Sequence, residues 1–279
     1  EARQETGKHI VNYCIAQYFD NPKPIEFFDR DSFCKWLIDE KHKDYTIIAH
    51  NGKGYDYQFI MRWIYRHTTY KPSIVYAGSK IMTFKITQGL NIRFVDSLNF
   101  LTMPLEAFPK TFGIKELKKG FFPHFFNTEE NKNYIGPMPD IEYFKHNSFK
   151  DKKRAEFLEW YGDKIENNYV WNQQKEMREY CISDVDILRR CCIQFRELYL
   201  KIADIDPFQY TTIASVCMAI FKSNHIHNID YENTDDDEIR KIVFENKKIS
   251  ILTYEEQQFI RKSFFGGRTN ATKLKYNFK

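Results

Sequence analysis

The stretch Ile47-Ile48-Ala49-His50-Asn51-Gly52-Lys53-Gly54-Tyr55-Asp56-Tyr57-Gln58-Phe59-Ile60 decides the fold of the chain around it. Its first apolar residues predict the end of a strand, with His50 and Asn51 at the tip. The two glycines that follow indicate a tight turn. A helix is predicted next, because apolar residues then recur at helical spacing. The stretch is therefore a strand, a turn and a helix in direct succession.

Asp56 opens that helix, and its carboxylate has two interpretations. At the edge between a strand and a helix it is well placed to meet a metal ion. Alternatively, it serves only as the N-cap of the helix. Phe59 has two interpretations in the same way, as a ligand-contacting aromatic residue or as part of the helix core. Neither choice is decided by this stretch alone.

Length and composition limit the class of protein. The 279 residues suffice for one large domain, or for one domain and part of another. The net charge of +4 permits a polyanionic partner without requiring one. An apolar run long enough to span a bilayer is absent, as is a signal segment, so we expect no membrane partner and an intracellular location. The six cysteines lack paired spacing and are expected to be buried free thiols in a reducing compartment.

The remaining pattern predicts a mixed α/β order with a domain boundary near residue 205. Residues 10–19 are expected to form one strand buried on both faces. Three short strands are predicted at 73–76, 80–87 and 90–97, the last two joined by a turn at Gln88-Gly89. A long irregular segment covers residues 118–140. Helices are predicted at 31–40, 154–168, 172–203 and 211–222, and the apolar stripe of the longest contains Met177, Ile182, Val185, Ile187 and Leu188.

Tyr180 and Asp184 lie one turn apart on the same face of the long predicted helix. A phenol beside a carboxylate, next to a stripe that faces the core, is a candidate catalytic pair. The alternative is a pair on the helix surface with the tyrosine hydroxyl exposed to solvent.

Taken together, Asn51…Asp56 and Tyr180-x-x-x-Asp184 resemble the second and third motifs of the 3′→5′ exonuclease domain of family B DNA polymerases. The first motif of that family is Asp-x-Glu on the first strand of the sheet. Here Glu1 would be its glutamate, and its aspartate would lie two positions before the chain begins. Glu5 is the alternative for the glutamate.

Three further segments resemble the protein-primed members of that family, of the Maverick/Polinton type, with adenoviral and phage relatives further off. Residues 94–101 (FVDSLNFL) are similar to the Asp-Ser-Leu segment, and residues 212–215 (TIAS) open a helix that also occurs there. Residues 264–271 (FFGGRTNA) are similar to the Tyr-x-Gly-Gly linker between the exonuclease and polymerase domains, with Phe264 where the family has tyrosine.

The resemblance implies a ribonuclease-H-like α/β fold, a mixed sheet flanked by helices, with a mostly helical C-terminal extension. It implies an exonuclease domain at 1–205 and a linker with the start of the polymerase domain at 206–279. Two Mg²⁺ or Mn²⁺ ions, about 3.5–4 Å apart, would be held by carboxylates, since hard cations prefer oxygen ligands. The metal ligands would be Glu1, Asp56 and Asp184. Tyr180 would orient the attacking water.

The same resemblance implies DNA partners: the 3′ end of single-stranded DNA, a primer-template and a terminal protein primer. We expect a monomer. Aromatic faces stack on any base, which suits an exonuclease without sequence preference. A lysine, Lys118 or Lys119, would neutralise the scissile phosphate. The residues implied in DNA binding are His50, Asn51, Tyr55, Phe59, Ser97, Leu98, Gly266, Gly267 and Arg268.

Two alternatives stay open beside this hypothesis. The sequence contains neither the Asp-x-x-Ser-Leu-Tyr-Pro segment nor the Asp-Thr-Asp hairpin of the polymerase domain, so a fragment with exonuclease but not polymerase activity is expected. One alternative is a standalone metal-dependent nuclease of the same fold. The other is a DNA-binding module without a metal site.

Overall fold

The computed structural model describes residues 2–5, 8–114, 120–225, 253–255 and 258–259. The strands, in chain order, are β1 (Ala2–Glu5), β2 (Lys8–Val11), β3 (Cys14–Ala16), β4 (Ile25–Phe27), β5 (Thr46–Ala49), β6 (Ser73–Ala77), β7 (Lys80–Ile86), β8 (Ile92–Asp96), β9 (Ile135–Gly136) and β10 (Trp171–Asn172). The helices are α1 (Arg30–Leu37), α2 (Asp56–His67), α3 (Phe108–Thr111), α4 (Asp151–Glu166), α5 (Gln173–Ala203) and α6 (Ile213–His225).

Four strands form a mixed sheet in the order β5-β8-β7-β6. β5 runs parallel to β8, with Thr46 opposite Arg93 and Ala49 opposite Asp96, whereas β7 is antiparallel to both of its neighbours. Since β5 and β8 are parallel, their carboxyl ends meet at one edge of the sheet. The segments that follow Ala49 and Asp96 are therefore brought together.

The main core lies between this sheet and helices α1 and α2. α2 presents a buried face made of Tyr57, Ile60, Met61, Trp63 and Ile64. The strand, turn and helix predicted from residues 47–60 are confirmed, as is the α/β class with a mixed sheet flanked by helices. Phe59 lies at the margin of the buried face and is only half-buried, so it is not a plain core residue.

The described part of the long irregular segment, residues 120–140, contributes to a second core. Phe122 and Met138 are buried there with Phe144, Phe157 and Trp171. β9 pairs with β10 just before α5 begins, which attaches the segment to the long helix. The segment is therefore a packed connection, although most of its backbone is irregular as predicted.

The prediction of a single buried strand over residues 10–19 is wrong. Two short strands, β2 and β3, occupy this region, and β3 pairs antiparallel with β4. Ile10 is 39% exposed and Phe19 is 36% exposed. Polar anchors interrupt the run: the Asn12 amide donates to the Asn127 side chain at 2.8 Å, and the Tyr13 hydroxyl donates to Glu26.

The long helix α5 is confirmed, but its buried face differs from the predicted stripe. Asn172 caps it by accepting a hydrogen bond from the Lys175 amide at 3.1 Å. Of the predicted stripe only Ile187 is buried, and the buried face otherwise consists of Gln173, Cys181, Cys191, Cys192 and Phe195. Val185 and Leu188 are half-buried because they line the cavity described below.

All six cysteines are free, as predicted, but the expectation that all are buried is wrong for Cys217, which is exposed, and for Cys14, which is half-buried. Burial raises the pKa of the Cys34 thiol to about 12 and that of Cys191 to about 11. Among the described residues, no helix is long and apolar enough to cross a membrane.

The chain divides into two compact units, Glu1–Val216 and Cys217–Lys279. The first contains the mixed sheet and both cores. In the second, the described residues include the part of α6 from residue 217 onward. The boundary predicted between an exonuclease domain and a linker at 205/206 concerns function and stays a prediction.

Candidate active site

Asp96 organises the sheet edge at which β5 and β8 end. Its side chain is fully buried, and its carboxylate accepts hydrogen bonds from the backbone amides of Asn51 and Lys53, each at 2.9 Å. It also accepts one from the amide of Leu98 at 2.9 Å. A buried carboxylate needs such donors to replace lost hydration. Asp96 therefore fixes the turn after β5 to the end of β8.

This turn places His50 against the next segment of chain. The His50 ring lies 2.9 Å from the Ser97 hydroxyl through Nδ1, and its edge contacts Phe108 at a centroid distance of 5.0 Å. Ser97 is fully buried. Its position indicates a role in orienting His50.

Asp56 lies at the N-terminus of α2 and is exposed. Tyr55, with φ −146° and ψ −73°, occupies the N-cap position, and Asp56 is the first helical residue. The interpretation of Asp56 as the N-cap is therefore wrong. Beside it, the Tyr55 ring meets Phe59 edge-on at 5.1 Å, and the Tyr55 hydroxyl lies 2.8 Å from the His9 ring.

Tyr180 and Asp184 lie on α5, one turn apart, and both are half-buried. The Tyr180 ring stacks on Phe122, with centroids 5.3 Å apart, and meets the edge of His124 at 5.6 Å. These contacts hold the phenol ring in place, and the interpretation of Tyr180 and Asp184 as a catalytic pair stays a prediction.

A cavity of about 740 Å³ joins these elements. It is lined by Asp56 from α2 and by Tyr180 and Asp184 from α5, so three of the four predicted catalytic side chains line one space. The predicted DNA-contacting residues His50, Tyr55 and Phe59 line it as well. Asn51, Ser97 and Leu98 are not part of its lining.

Several predicted site residues lie outside the described side chains. They are Glu1, Glu5, Lys118, Lys119, Gly266, Gly267 and Arg268. Within the described residues, no group of three His, Cys, Asp or Glu side chains is arranged to hold a metal ion. The described part of the cavity thus supplies Asp56 and Asp184 as acidic residues of the predicted ligand set.

The negative charge of Asp56 affects the pKa values of side chains in the cavity wall. Burial raises the pKa of the Cys14 thiol to about 11, and the nearby Asp56 carboxylate adds to this increase. Burial also raises the pKa of Tyr57 strongly, with contributions from Asp96 and Asp56. The Asp56 carboxylate therefore disfavours the anionic form of both side chains.

A second polar group in the cavity wall was not predicted from the sequence. Tyr13 is buried, lines the cavity and donates its hydroxyl hydrogen to Glu26 on β4. Glu26 in turn forms an ion pair with Arg178 of α5, with a closest distance of 2.7 Å. This chain of contacts ties β4 to the turn of α5 that carries Tyr180. Tyr13 was hidden inside the strand expected over residues 10–19.

Comparison with known proteins identifies the family. A family model of organellar and viral type B DNA polymerases matches residues 39–279. The chain belongs to this family. It is 31% identical over 228 residues to a probable DNA polymerase of Neurospora intermedia, covering 79% of this chain and 22% of the relative. It is 28% identical over 242 residues to a probable DNA polymerase of Ascobolus immersus, covering 81% of this chain and 20% of the relative.

This type B polymerase chain spans about a fifth of the length of these curated relatives. Its fold is similar to that of phi29 DNA polymerase, solved in complex with primer-template DNA and incoming nucleotide substrates. The TM-score is 0.50 at 16% identity, with 80% of this chain and 33% of the phi29 chain covered. The comparison supports the mixed α/β architecture.

Proposed function

We propose that the chain carries a metal-dependent 3′→5′ exonuclease, acting on single-stranded DNA, within a protein-primed type B DNA polymerase. The observation that carries the proposal is the shared cavity. Asp56 from α2 and Tyr180 and Asp184 from α5 all line it, as do the aromatic side chains of Tyr55 and Phe59. Carboxylates from separate elements, next to surfaces on which bases can stack, fit phosphodiester hydrolysis at a strand end.

The donor chemistry of the cavity fits Mg²⁺ or Mn²⁺. Both are hard cations that prefer carboxylate oxygen, which Asp56 and Asp184 offer. Glu1 is the proposed third ligand. Bound ions would activate a water and neutralise charge on the scissile phosphate.

Tyr180 is proposed to orient the attacking water. Its ring stacks on Phe122 and meets the edge of His124, and these contacts restrict the position of its hydroxyl. A hydroxyl held in this way positions a water without an entropy cost at the moment of reaction.

The single strand is proposed to enter past the aromatic pair Tyr55 and Phe59. Stacking on an aromatic face stabilises each base by about 1–3 kcal/mol and depends little on its identity. His50 contributes a hydrogen-bonding group at the same wall, and Ser97 acts through it. Asn51 and Leu98 stay proposed contacts, as do Gly266, Gly267 and Arg268 for primer-template DNA.

The polymerase activity itself is proposed to reside in sequence that this chain does not contain. The two polymerase motifs named above are absent from its 279 residues. The terminal protein primer and a monomeric state are proposed from the resemblance to protein-primed polymerases.

The experiment is degradation of a 5′-labelled single-stranded oligonucleotide in Mn²⁺. It compares the chain with Asp56→Ala and Asp184→Ala variants and with Asp163→Ala, an exposed acid of α4 that does not line the cavity. A chain extended upstream of Glu1 is included, because the aspartate of the expected Asp-x-Glu motif would lie two positions before Glu1.

We expect stepwise shortening from the 3′ end, abolished by Asp56→Ala and Asp184→Ala and retained by Asp163→Ala. Chelation by EDTA should stop the reaction. If neither the chain nor its extended form shortens an oligonucleotide that it binds, the exonuclease proposal is wrong and the DNA-binding module is favoured. Unchanged cleavage by Asp184→Ala would instead disprove the assignment of the site.

A further inference from the structure

A second groove, of about 740 Å³, adjoins the candidate active site along α2. Phe59 lines both spaces, so the groove continues from the wall on which the terminal base would stack. Arg62 and Arg66 lie farther along the groove, one helical turn apart on the same face of α2. Both are exposed.

The other charged groups of the groove have partners of their own. Arg30 pairs with Asp31, donating from Nε at 2.9 Å and from Nη2 at 2.7 Å. Asp29 caps α1 by accepting from the Ser32 amide at 2.7 Å. His9 contacts Tyr55. Arg62 and Arg66 form no hydrogen bond or ion pair with another described residue, so they are the groove's available cations.

The helix gives no structural reason for this pair. Arg66 lies in the last turn of α2, where a cation complements the helix dipole, but Arg62 lies in the middle of the helix. Like charges one turn apart disfavour the helix. The positive charges of Arg62 and Arg66 therefore do not stabilise α2 as a pair. A ligand with negative charge would account for them.

We propose that Arg62 and Arg66 bind backbone phosphates of the single strand on the 5′ side of the nucleotide held in the cavity. This inference rests on the proposed function of the cavity. Phe59 lies where the cavity joins the groove. The terminal base stacks in the cavity, and the strand continues along α2 over the guanidinium groups of Arg62 and Arg66. Arginine suits this role because its planar fork matches phosphate oxygens. Phosphate contacts carry no sequence information, which suits a strand of any sequence.

The test is the equilibrium binding of oligothymidylates that carry a 5′-fluorescein. Binding is measured by fluorescence anisotropy, in the presence of Ca²⁺, at a series of salt concentrations. One oligothymidylate has about twelve nucleotides, within the usual range of single-strand sites. The other is a trinucleotide too short to reach the groove from the cavity. The Arg62→Gln/Arg66→Gln variant is compared with Lys152→Gln/Lys201→Gln, which changes the net charge equally at exposed positions outside both spaces.

Each phosphate contact contributes about 0.7 to the slope of log K against log salt for a single strand. We therefore expect the arginine variant to flatten the slope by about 1.4 and to weaken binding of the longer oligonucleotide about tenfold at low salt. Its trinucleotide binding and melting temperature should match those of the parent chain. The lysine control should retain the parent slope.

An unchanged slope, or an equal loss in the lysine control, would overturn the inference. Failure of the proposed function is seen separately, as an absence of Mn²⁺-dependent shortening by both the parent chain and its form extended upstream of Glu1. A flattened slope without any cleavage would thus support the groove and count against the exonuclease.

Discussion

Single side chains at the β5/β8 edge divide into those that build the site and those that would act in it. Asp96 is buried and bonded to three backbone amides, whereas Asp56 lies exposed at the start of α2. Both are aspartates next to apolar strands in the sequence. In the sequence, Asp96 was only part of the segment similar to the Asp-Ser-Leu motif. Its role depends on backbone donors that follow β5 and that the parallel pairing brings close. Asp56 was predicted as a site residue because the segment from Asn51 to Asp56 resembles the second exonuclease motif.

Replacing Asp96 by alanine should destabilise the fold. Asn51, Lys53 and Leu98 would each lose a charged acceptor for a backbone amide, and such hydrogen bonds are worth about 1.5–3 kcal/mol each before relaxation. We expect the free energy of unfolding, measured with urea, to fall by about 3 kcal/mol or more. Asp96→Asn should fall by less, because it keeps one acceptor oxygen. Equal stability of Asp96→Ala and the parent chain would contradict this role.

Tyr180→Phe should separate chemistry from structure. Phenylalanine keeps the stacking on Phe122, so the melting temperature should not change. Loss of the hydroxyl should slow nucleotide release about 10- to 100-fold in single-turnover kinetics, the effect of one hydrogen bond in a transition state. Mn²⁺ affinity should be retained. A simultaneous loss of metal affinity and melting temperature would assign Tyr180 a structural role.

Secondary-structure elements were predicted most accurately where periodicity was strong. The bounds of α2 and the hairpin of β7 and β8 followed from apolar spacing and a Gly turn. The run over residues 10–19 failed because Asn12 and Tyr13 take polar partners, Asn127 and Glu26, that are distant in sequence. No local pattern reveals such partners.

The turn between β5 and α2 tolerates a side chain at one glycine but not at the other. A Cβ on Gly52 would lie 2.8 Å from ring atoms of Tyr57, which is fully buried and hydrogen-bonded to Val95. A Cβ on Gly54 would meet only the Asn51 side chain, at 3.0 Å. Gly52→Ala should cost about 1–3 kcal/mol of stability, and Gly54→Ala clearly less. Thermal or urea unfolding of the matched pair checks the difference, and a reversed order would be evidence against this packing.

The contact between β4 and α5 should make stability depend on pH. The hydrogen bond from Arg178, and then that from Tyr13, lowers the pKa of Glu26 below its ordinary value. A lowered carboxyl pKa in the folded state gives stability that is present above the unfolded pKa and is lost as pH falls through the folded pKa. Glu26→Gln should therefore be less stable than the parent near neutral pH. The difference should vanish in acid as Glu26 is protonated.

Urea unfolding at several pH values measures this difference. Arg178→Gln provides the control, since removing the partner should reduce the same pH-dependent difference. A Glu26→Gln penalty that is constant from neutral to acid pH would show that the ion pair does not contribute.

At the scale of the whole molecule, the sequence predicted the α/β class, and the cavity brings together residues from opposite ends of the first unit. Asp56 and Asp184 are separated by more than a hundred residues in the sequence, so their assignment to one site came from a family resemblance and not from local physics. The position of Tyr13 in the cavity wall and the groove around Arg62 and Arg66 were recognised only in the three-dimensional structure. Glu1 and the 266–268 segment lie outside the described residues, and their roles stay predictions.

The thiols give a test of burial across the molecule. Cys217 is exposed, whereas Cys34, Cys181, Cys191 and Cys192 are buried and Cys14 lines the cavity. A disulfide reagent at mildly alkaline pH should therefore modify Cys217 quickly and the others slowly, because buried thiols with raised pKa values rarely ionise. Denaturation should expose all six. A fast phase that persists in Cys217→Ser would contradict this assignment.

The most direct test of the proposed exonuclease site is photo-cross-linking of single-stranded DNA in Ca²⁺, with 5-iododeoxyuridine placed either at the 3′ terminus or at the 5′ terminus. We expect the 3′-terminal probe to cross-link to peptides containing Tyr55, Phe59 or Tyr180, and the 5′-terminal probe not to do so. Cross-links to these peptides from both ends alike, or from the 3′ end only to peptides outside the cavity, would contradict it.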